Sequence, residues 1–239
     1  MNTSSPQNSK CWFVFLAVIP LCLFSTLIGL SSKPEQEKHA PAKDAWISLF
    51  DGKTLEGWKS TDFGGQGDVT VKDGTILIEM GVDLSGITWQ KPDDLPKINY
   101  EIEVDAMRVV GSDFFCGLTF PVNDEPCSLI LGGWGGGVCG LSSIDDMDAS
   151  ENETTSYRGF EKGKWYHIRL RVMADRIDAW IDGEPIVEQE ITDRKISVRS
   201  EVELSRPFGF ATWVTTAALK NIRWRKVQPT KAVKTKKDS

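Results

Sequence analysis

The sequence predicts an all-β fold, a two-sheet antiparallel β-sandwich or jelly roll, and three observations predict it. From Trp46 onward apolar and polar residues alternate with period two, the pattern of strands with one buried and one exposed face. Turn dipeptides such as Asp73-Gly74 and Asp182-Gly183 separate these runs, since aspartate tolerates and glycine readily adopts the positive φ of hairpin turns. No convincing helical repeat follows the first forty-five residues.

The chain begins differently. Cys11 to Leu30 is an uncharged, strongly apolar run behind Lys10, and at about 1.5 Å per residue a helix of that length reaches across a bilayer. Residues 1–30 are therefore read as an N-terminal apolar helix serving as a signal peptide or a membrane anchor. Gly29, Ser31 and Ser32 offer a peptidase small residues, whereas the length of the run favours retention, and both fates stay open. Either one means export, to a periplasmic, extracellular or membrane-anchored location, with a membrane as partner if residues 11–30 are uncleaved. Residues 31–45 are polar and interrupted by Pro34 and Pro41, which reads as a linker. The folded domain is assigned to residues 46–227, and residues 228–239, with Lys231, Lys234, Lys236 and Lys237, to a basic disordered tail.

Within the domain, Leu49 and Phe50 are expected to enter the core, Asp51-Gly52 to turn the chain, and Gly57 to let Trp58 pack closely. From Ile98 to Ala106, the residues Ile98, Tyr100, Ile102, Val104 and Ala106 alternate with Asn99, Glu101, Glu103 and Asp105. Two further runs, Tyr166 to Val172 and Ile177 to Ile181, do the same and join at a tight turn near Ala174 and Asp175. That turn sets Arg171 opposite Asp178, Arg169 opposite Trp180 and His167 opposite Asp182. Phe208 to Trp213 and Leu219 to Trp224 close the sandwich.

Composition narrows the function. The net charge of -6, more negative still if cleavage removes Lys10, excludes a broad basic field for nucleic acid. The run from Gly132 to Gly137 lacks the lysine and following helix of a phosphate loop. With His39 in the linker and His167 in a strand as the two histidines, a Ser-His-Asp triad is a poor candidate. Cys116, Cys127 and Cys139 fall in consecutive strand-like segments. One disulfide plus a buried thiol and three reduced packing cysteines are both open. No C-x-x-C pair points to zinc.

The opening Leu49-Phe50-Asp51-Gly52-Lys53-Thr54-Leu55-Glu56-Gly57-Trp58 resembles the start of the 3-keto-disaccharide hydrolase domain. Trp165 with Ile168, Ile181-Asp182-Gly183 and Asn221-Ile222-Arg223 follow in that family's order. The resemblance runs from about Trp46 to Lys226 and implies a laminin-G-like, concanavalin A-like jelly roll. The middle departs from the commoner pattern of an arginine-ending strand followed by one carrying glutamate, glutamine and aspartate. Here Phe120-Pro121, then Leu129 to Gly137, and then Leu141 to Thr154 stand instead, which resembles a variant form seen in planctomycete-type exported proteins.

What the resemblance implies is cleavage of glycosides oxidised at carbon 3, where the ketone acidifies the hydrogen on carbon 2 and allows elimination. Such a site needs a base, an acid and a cation or dipole for the enolate charge. Asp145, Asp146, Asp148, Glu151 and Glu153 gather around Asn152. That cluster is read as a solvated loop, a divalent site such as one for Ca²⁺, or the acid and base of the reaction, with Asp145, Asp148 and Glu151 as the catalytic candidates. Asn152-Glu153-Thr154 is formally a glycosylation sequon. For carbohydrate binding the candidates are Trp134, flanked by glycines that leave its ring uncovered, and His167, Arg169, Arg171 and Trp180 on the hairpin face. The alternatives to a hydrolase or lyase are a non-catalytic carbohydrate-binding module and a cell-surface interaction protein.

Overall fold

The computed structural model describes residues 45–229. The predicted apolar helix, residues 31–44 of the linker and the tail from residue 230 lie outside the described residues. Among the described residues no helix is long and apolar enough to cross a membrane. The strands, in chain order, are β1 (Ile47–Ser48), β2 (Trp58–Ser60), β3 (Val69–Lys72), β4 (Thr75–Ile78), β5 (Leu84–Trp89), β6 (Tyr100–Gly111), β7 (Cys116–Val122) and β8 (Glu125–Gly133). They continue as β9 (Val138–Ser142), β10 (Ser156–Tyr157), β11 (Trp165–Val172), β12 (Arg176–Ile181), β13 (Glu184–Glu190), β14 (Gly209–Trp213) and β15 (Thr215–Lys226). The helical elements among the described residues are short 3-10 turns at Pro92–Asp94 and Ser200–Ser205.

These strands make two antiparallel sheets, as the period-two pattern requires. An eight-stranded sheet runs β13-β12-β11-β6-β15-β4-β3 with β1 on β15, and a seven-stranded sheet runs β10-β9-β8-β7-β14-β5-β2. Their facing sides form one core, in which Ile102, Val104, Ile168 and Leu219 from the first sheet meet Leu118, Leu129, Phe208 and Phe210 from the second. The last two segments complete the sandwich from within: β15 pairs with β6 and β14 lies between β5 and β7, so the last two described strands sit in the interior of the two sheets.

The hairpin register is the one the turn dictates. Arg171 faces Asp178 and Arg169 faces Trp180, while the Asp182 amide donates to the His167 carbonyl at 2.8 Å. The opening segment also folds as its residues direct. Leu49 and Phe50 are buried, and Asp51 Oδ1 accepts the Lys53 and Thr54 amides at 2.8 Å each. Gly57 has a different role from the one expected. A Cβ there would lie 2.5 Å from the Trp89 ring, so the glycine admits Trp89, whereas Trp58 is held by its own Nε1 bond to the Leu49 carbonyl at 2.7 Å.

β6 departs from a simple buried and exposed alternation. Its polar face carries Glu101 at 0% exposure and Glu103 at 9%. Arginines from both neighbouring strands explain this: Arg171 Nε and Arg225 Nε reach Glu101 at 2.7 and 2.8 Å, and Arg223 Nε reaches Glu103 at 2.9 Å. Burial alone would raise the Glu101 carboxyl, but hydrogen bonds from Arg225 and Arg171 outweigh it, and the net shift is downward. The three cysteines resolve in favour of the packing reading. Cys116, Cys127 and Cys139 are free thiols buried in the core, and burial pushes Cys116 and Cys127 up to about 12.

Candidate functional site

A cavity of about 220 Å³ opens on the outer face of the seven-stranded sheet, lined by Leu84, Asp113, Phe114, Ile130, Trp134, Ser142, Arg199, Glu201, Val202 and Trp213. Strand parity explains the lining. Phe208, just before β14, and Phe210 on it face the core, while Ala211 and Trp213 turn outward to meet Leu84 and Val202. Ile130 on β8 and Val138 on β9 likewise belong to an outward cluster.

Trp134 sits in the turn between β8 and β9, with φ at 48° and its side chain 44% exposed. Two close amide bonds, Gly136 and Gly137 to the Gly133 carbonyl, fold that turn. Arg108, at 4% exposure, fastens it from within by donating to the carbonyls of Gly132 and Gly136 at 3.1 and 3.0 Å. A Cβ at Gly132 would collide with this guanidinium, and φ there is +77°. Asp113 completes the frame: Oδ2 accepts the Gly135 amide at 2.9 Å and Oδ1 the Phe114 amide at 2.8 Å.

The polar side of the cavity centres on Arg199. Its Nη1 lies 2.5 Å from Asp148 Oδ2, its Nη2 2.7 Å from Glu201 Oε1, and its Cζ 5.9 Å from the Trp134 ring centroid. The bonds from Arg199 hold the Glu201 carboxyl down at about 2. Ser142 lines the same space with a buried hydroxyl that has no hydrogen-bond partner among the described residues.

The residues named from the sequence divide into three groups. Trp134 lines the cavity, and Asp148 reaches it through Arg199. Asp145 and Asp146 occupy a tight turn with φ at 49° and 65°, closed by reciprocal amide bonds between Ile144 and Met147. Their carboxylates go to cations: Asp145 Oδ2 accepts from Arg194 at 2.6 Å, and Asp146 pairs with Lys195 at 2.7 Å. The Lys195 amide and the Arg194 guanidinium hold Asp145 below its ordinary range. Glu153 takes the other arm of Arg194, and Glu151 is exposed. None of Asp145, Asp146, Glu151 and Glu153 lines the cavity.

This acidic loop is organised by Asn152, whose Nδ2 donates to the carbonyls of Leu141, Met147 and Asp148 while Oδ1 accepts from Thr154. The side chain is therefore buried and fully used, so the sequon is closed in the folded protein. Among the described residues no group of three or more His, Cys, Asp or Glu side chains is placed to hold a metal ion. Four carboxylates of the cluster, Asp145, Asp146, Asp148 and Glu153, are paired with arginine or lysine.

His167, Arg169, Arg171 and Trp180 lie on the eight-stranded sheet and line no part of the cavity. The Arg169 guanidinium stacks 4.0 Å from the Trp180 centroid, on the surface expected to meet a sugar. Arg171 binds Glu101, and His167 Nδ1 lies 2.8 Å from Asp105 Oδ1. Trp46 and Trp165 on the same sheet are also covered by cations, Arg225 at 4.6 Å and Lys220 at 4.0 Å. Charge pairing and cation–π stacking account for this face. Sequence reasoning missed Asp113, Phe114, Arg199, Glu201 and Trp213. For Trp213 the signal was present, since its parity within Phe208 to Trp213 opposes that of the two phenylalanines.

A second cavity of about 220 Å³ is lined by Ser48, Leu49, Phe50, Asp51, Glu56, Trp89 and Lys91. Its tryptophan is buried beneath Trp58, with ring centroids 5.0 Å apart, so it offers no exposed aromatic platform.

The family model of the 3-keto-disaccharide hydrolases, described as a 3-keto-alpha-glucoside-1,2-lyase-like domain, matches residues 45–225. No curated protein matches the chain. Among solved structures, the apo Crh5 transglycosylase aligns with a TM-score of 0.51 at 13% identity, over 79% of this chain and 86% of that one. A Parabacteroides distasonis protein proposed as a glycosyl hydrolase aligns at 0.48 and 13% identity, over 77% and 94%. Domain 4 of AbnA, an arabinanase of Geobacillus stearothermophilus in complex with arabinotriose, aligns at 0.49 and 14%, over 78% and 93%.

Proposed function

Since the chain belongs to the family of 3-keto-alpha-glucoside-1,2-lyase-like domains, we propose that it is a carbohydrate-active domain that binds and cleaves 3-keto-glycosides in the Trp134 cavity. The observation that carries this reading is the composition of the cavity wall. Trp134, Trp213 and Phe114 offer flat apolar faces for the CH groups of a pyranose, next to Arg199, Glu201, Asp113 and Ser142 for its oxygens. Arg199 supplies the cation for an enolate oxygen. Glu201 and Asp113 are the carboxylates available to take the proton from carbon 2, and Asp148 holds Arg199 in place. In this reading the predicted residues Trp134 and Asp148 keep a role, whereas Asp145, Glu151 and the hairpin residues do not touch substrate.

One observation favours a second reading, a binding module without turnover. Glu201 is held at about 2 by Arg199, which makes it a weak base until the pair opens. The two readings separate in one experiment. The protein is incubated with 3-keto-disaccharides and 3-keto-glycosides, with and without divalent metal, and released sugar is followed by chromatography alongside calorimetric binding. Turnover that Arg199→Ala and Trp134→Ala each abolish supports the enzyme. Saturable binding with no release sinks it and leaves the binding module, and neither result leaves a carbohydrate role without support. Export of the domain belongs to the same proposal, and fractionation of cells carrying the full chain checks it.

A further inference from the structure

We infer that the ligand of this cavity is a glycoside with one sugar ring and a flat apolar aglycone, a phenolic glycoside rather than a disaccharide. The inference rests on the carbohydrate reading of the cavity and names its substrate class. Six of the ten lining residues are apolar or aromatic, and Phe114, Leu84, Val202 and Trp213 form one continuous cluster among them.

Counting hydrogen-bond capacity decides how much sugar such a wall can accept. A carboxylate has about four acceptor sites. Asp113 already accepts the Phe114 and Gly135 amides. Glu201 already accepts from Arg199 Nε and Nη2 and from the Ser200 hydroxyl. What remains is a few acceptor sites on these two carboxylates, the two Arg199 N–H donors not given to Glu201 or Asp148, and the Ser142 hydroxyl, which has no partner among the described residues. That matches a single 3-keto-hexoside, whose free hydroxyls are at carbons 2, 4 and 6. A second sugar would bring its hydroxyls against Leu84, Ile130 and Val202, and each polar group buried without a partner costs about 1–3 kcal/mol. An aromatic ring against Phe114 and Trp213 has no such cost and gains stacking.

The chemistry of departure agrees. In the elimination the bond from carbon 2 to hydrogen breaks, its proton goes to a cavity carboxylate, and its electron pair enters the enolate. That pair then forms the double bond between carbons 1 and 2 as the carbonyl at carbon 3 is restored. The bond from carbon 1 to oxygen breaks, with its electron pair leaving on the aglycone oxygen, and nothing is oxidised or reduced. An alkoxide of a second sugar needs a proton donor as it leaves. Among the lining residues the acid at hand is the carboxylate that has just taken the carbon-2 proton, so departure of an alkoxide depends on its handing that proton on. A phenolate leaves without one.

The test compares two probes on the full chain: the 4-nitrophenyl glucoside oxidised at carbon 3, in both anomers, and the corresponding 3-keto derivative of trehalose. Binding is measured by calorimetry and turnover by nitrophenolate absorbance or sugar release. The expected result is at least tenfold tighter binding of an aryl probe, with the preference lost in Trp213→Ala or, if that variant unfolds, in Trp213→Leu. Equal or tighter binding of the disaccharide overturns the inference and leaves the carbohydrate reading standing. Aryl preference without turnover supports this ligand class and removes the enzyme reading. Binding of neither probe removes both.

Discussion

Arg108 Nη2 donates to the carbonyl oxygen of Gly132 at 3.1 Å, so a buried cation on the eight-stranded sheet anchors the turn that carries Trp134 on the other sheet. Among the described residues the guanidinium bonds carbonyls only, those of Gly132, Gly136 and Phe160, and it lies over the Phe115 and Phe160 rings at 5.2 and 5.7 Å. Its burial lowers its proton affinity. Burying such a group is costly, and what its bonds do is fix the geometry of one turn.

Arg108→Met tests that role, because methionine keeps much of the apolar stem and removes every donor. The stranded carbonyls should cost about 2–4 kcal/mol of stability, read from the urea midpoint. The Trp134 resonance of fluorotryptophan-labelled protein, assigned with Trp134→Phe, should broaden or shift while those of Trp58 and Trp224 stay in place. An unchanged Trp134 resonance would show that the glycines alone set the turn.

The acid limb of stability follows from Glu201. Its folded carboxyl is held at about 2 against an ordinary 4.5, chiefly by Arg199. As pH falls below about 4.5 the unfolded chain takes up this proton first. The stabilisation is therefore full above that pH and is lost between 4.5 and 2. Glu101, whose net shift is also downward, contributes with the same sign. Urea midpoints should be flat with respect to this pair from pH 8 to 5 and fall below 4.5, and Glu201→Gln should make that fall shallower.

The fold was legible because it is written in short-range patterns. Parity placed Tyr100, Ile102 and Val104 inside, and the two residues Ala174 and Asp175 were enough to set a whole hairpin register. The cavity was far less legible. Phe114, Trp134, Arg199 and Trp213 come from four separated segments, and the pairing of β7, β8 and β14 together with the 3-10 turn that Arg199 caps brings them together. Likewise nothing near Asp145 and Asp146 announces that Arg194 and Lys195 will cover them. Carboxylates dense in sequence look like a site, and here their positive φ angles and cation partners make them a turn. The burial of Glu101 was hidden for the same reason, since Arg225 stands 124 residues away.

Glu101→Gln measures what that hidden pairing contributes. The side chain is fully buried, with Arg171 Nη2 and Arg225 Nη2 at 2.6 and 2.5 Å, and the neutral amide strands two guanidinium groups. Breaking a buried pair costs about 3–5 kcal/mol. The arginines keep roughly a third of their surface in water, so the low end, about 3 kcal/mol, is expected. Chemical denaturation of the variant at pH 7 reads this directly, and Glu101→Leu should recover part of the loss only if both arginines swing into solvent.

Gly57 offers the sharpest check on the opening signature. Its φ of +82° disfavours any side chain, and a Cβ would stand 2.5 Å from the Trp89 ring, which in turn packs edge-on against Trp58 at 5.0 Å. Backbone strain and overpacking act together, so Gly57→Ala should destabilise the domain by roughly 2–4 kcal/mol. If the ring rather than the backbone is the main obstacle, Trp89→Leu should make Gly57→Ala markedly milder in a double-mutant cycle. A Gly57→Ala penalty that Trp89→Leu leaves unchanged would assign the glycine to the turn alone, and the signature would then mark a backbone bend and not a packing site.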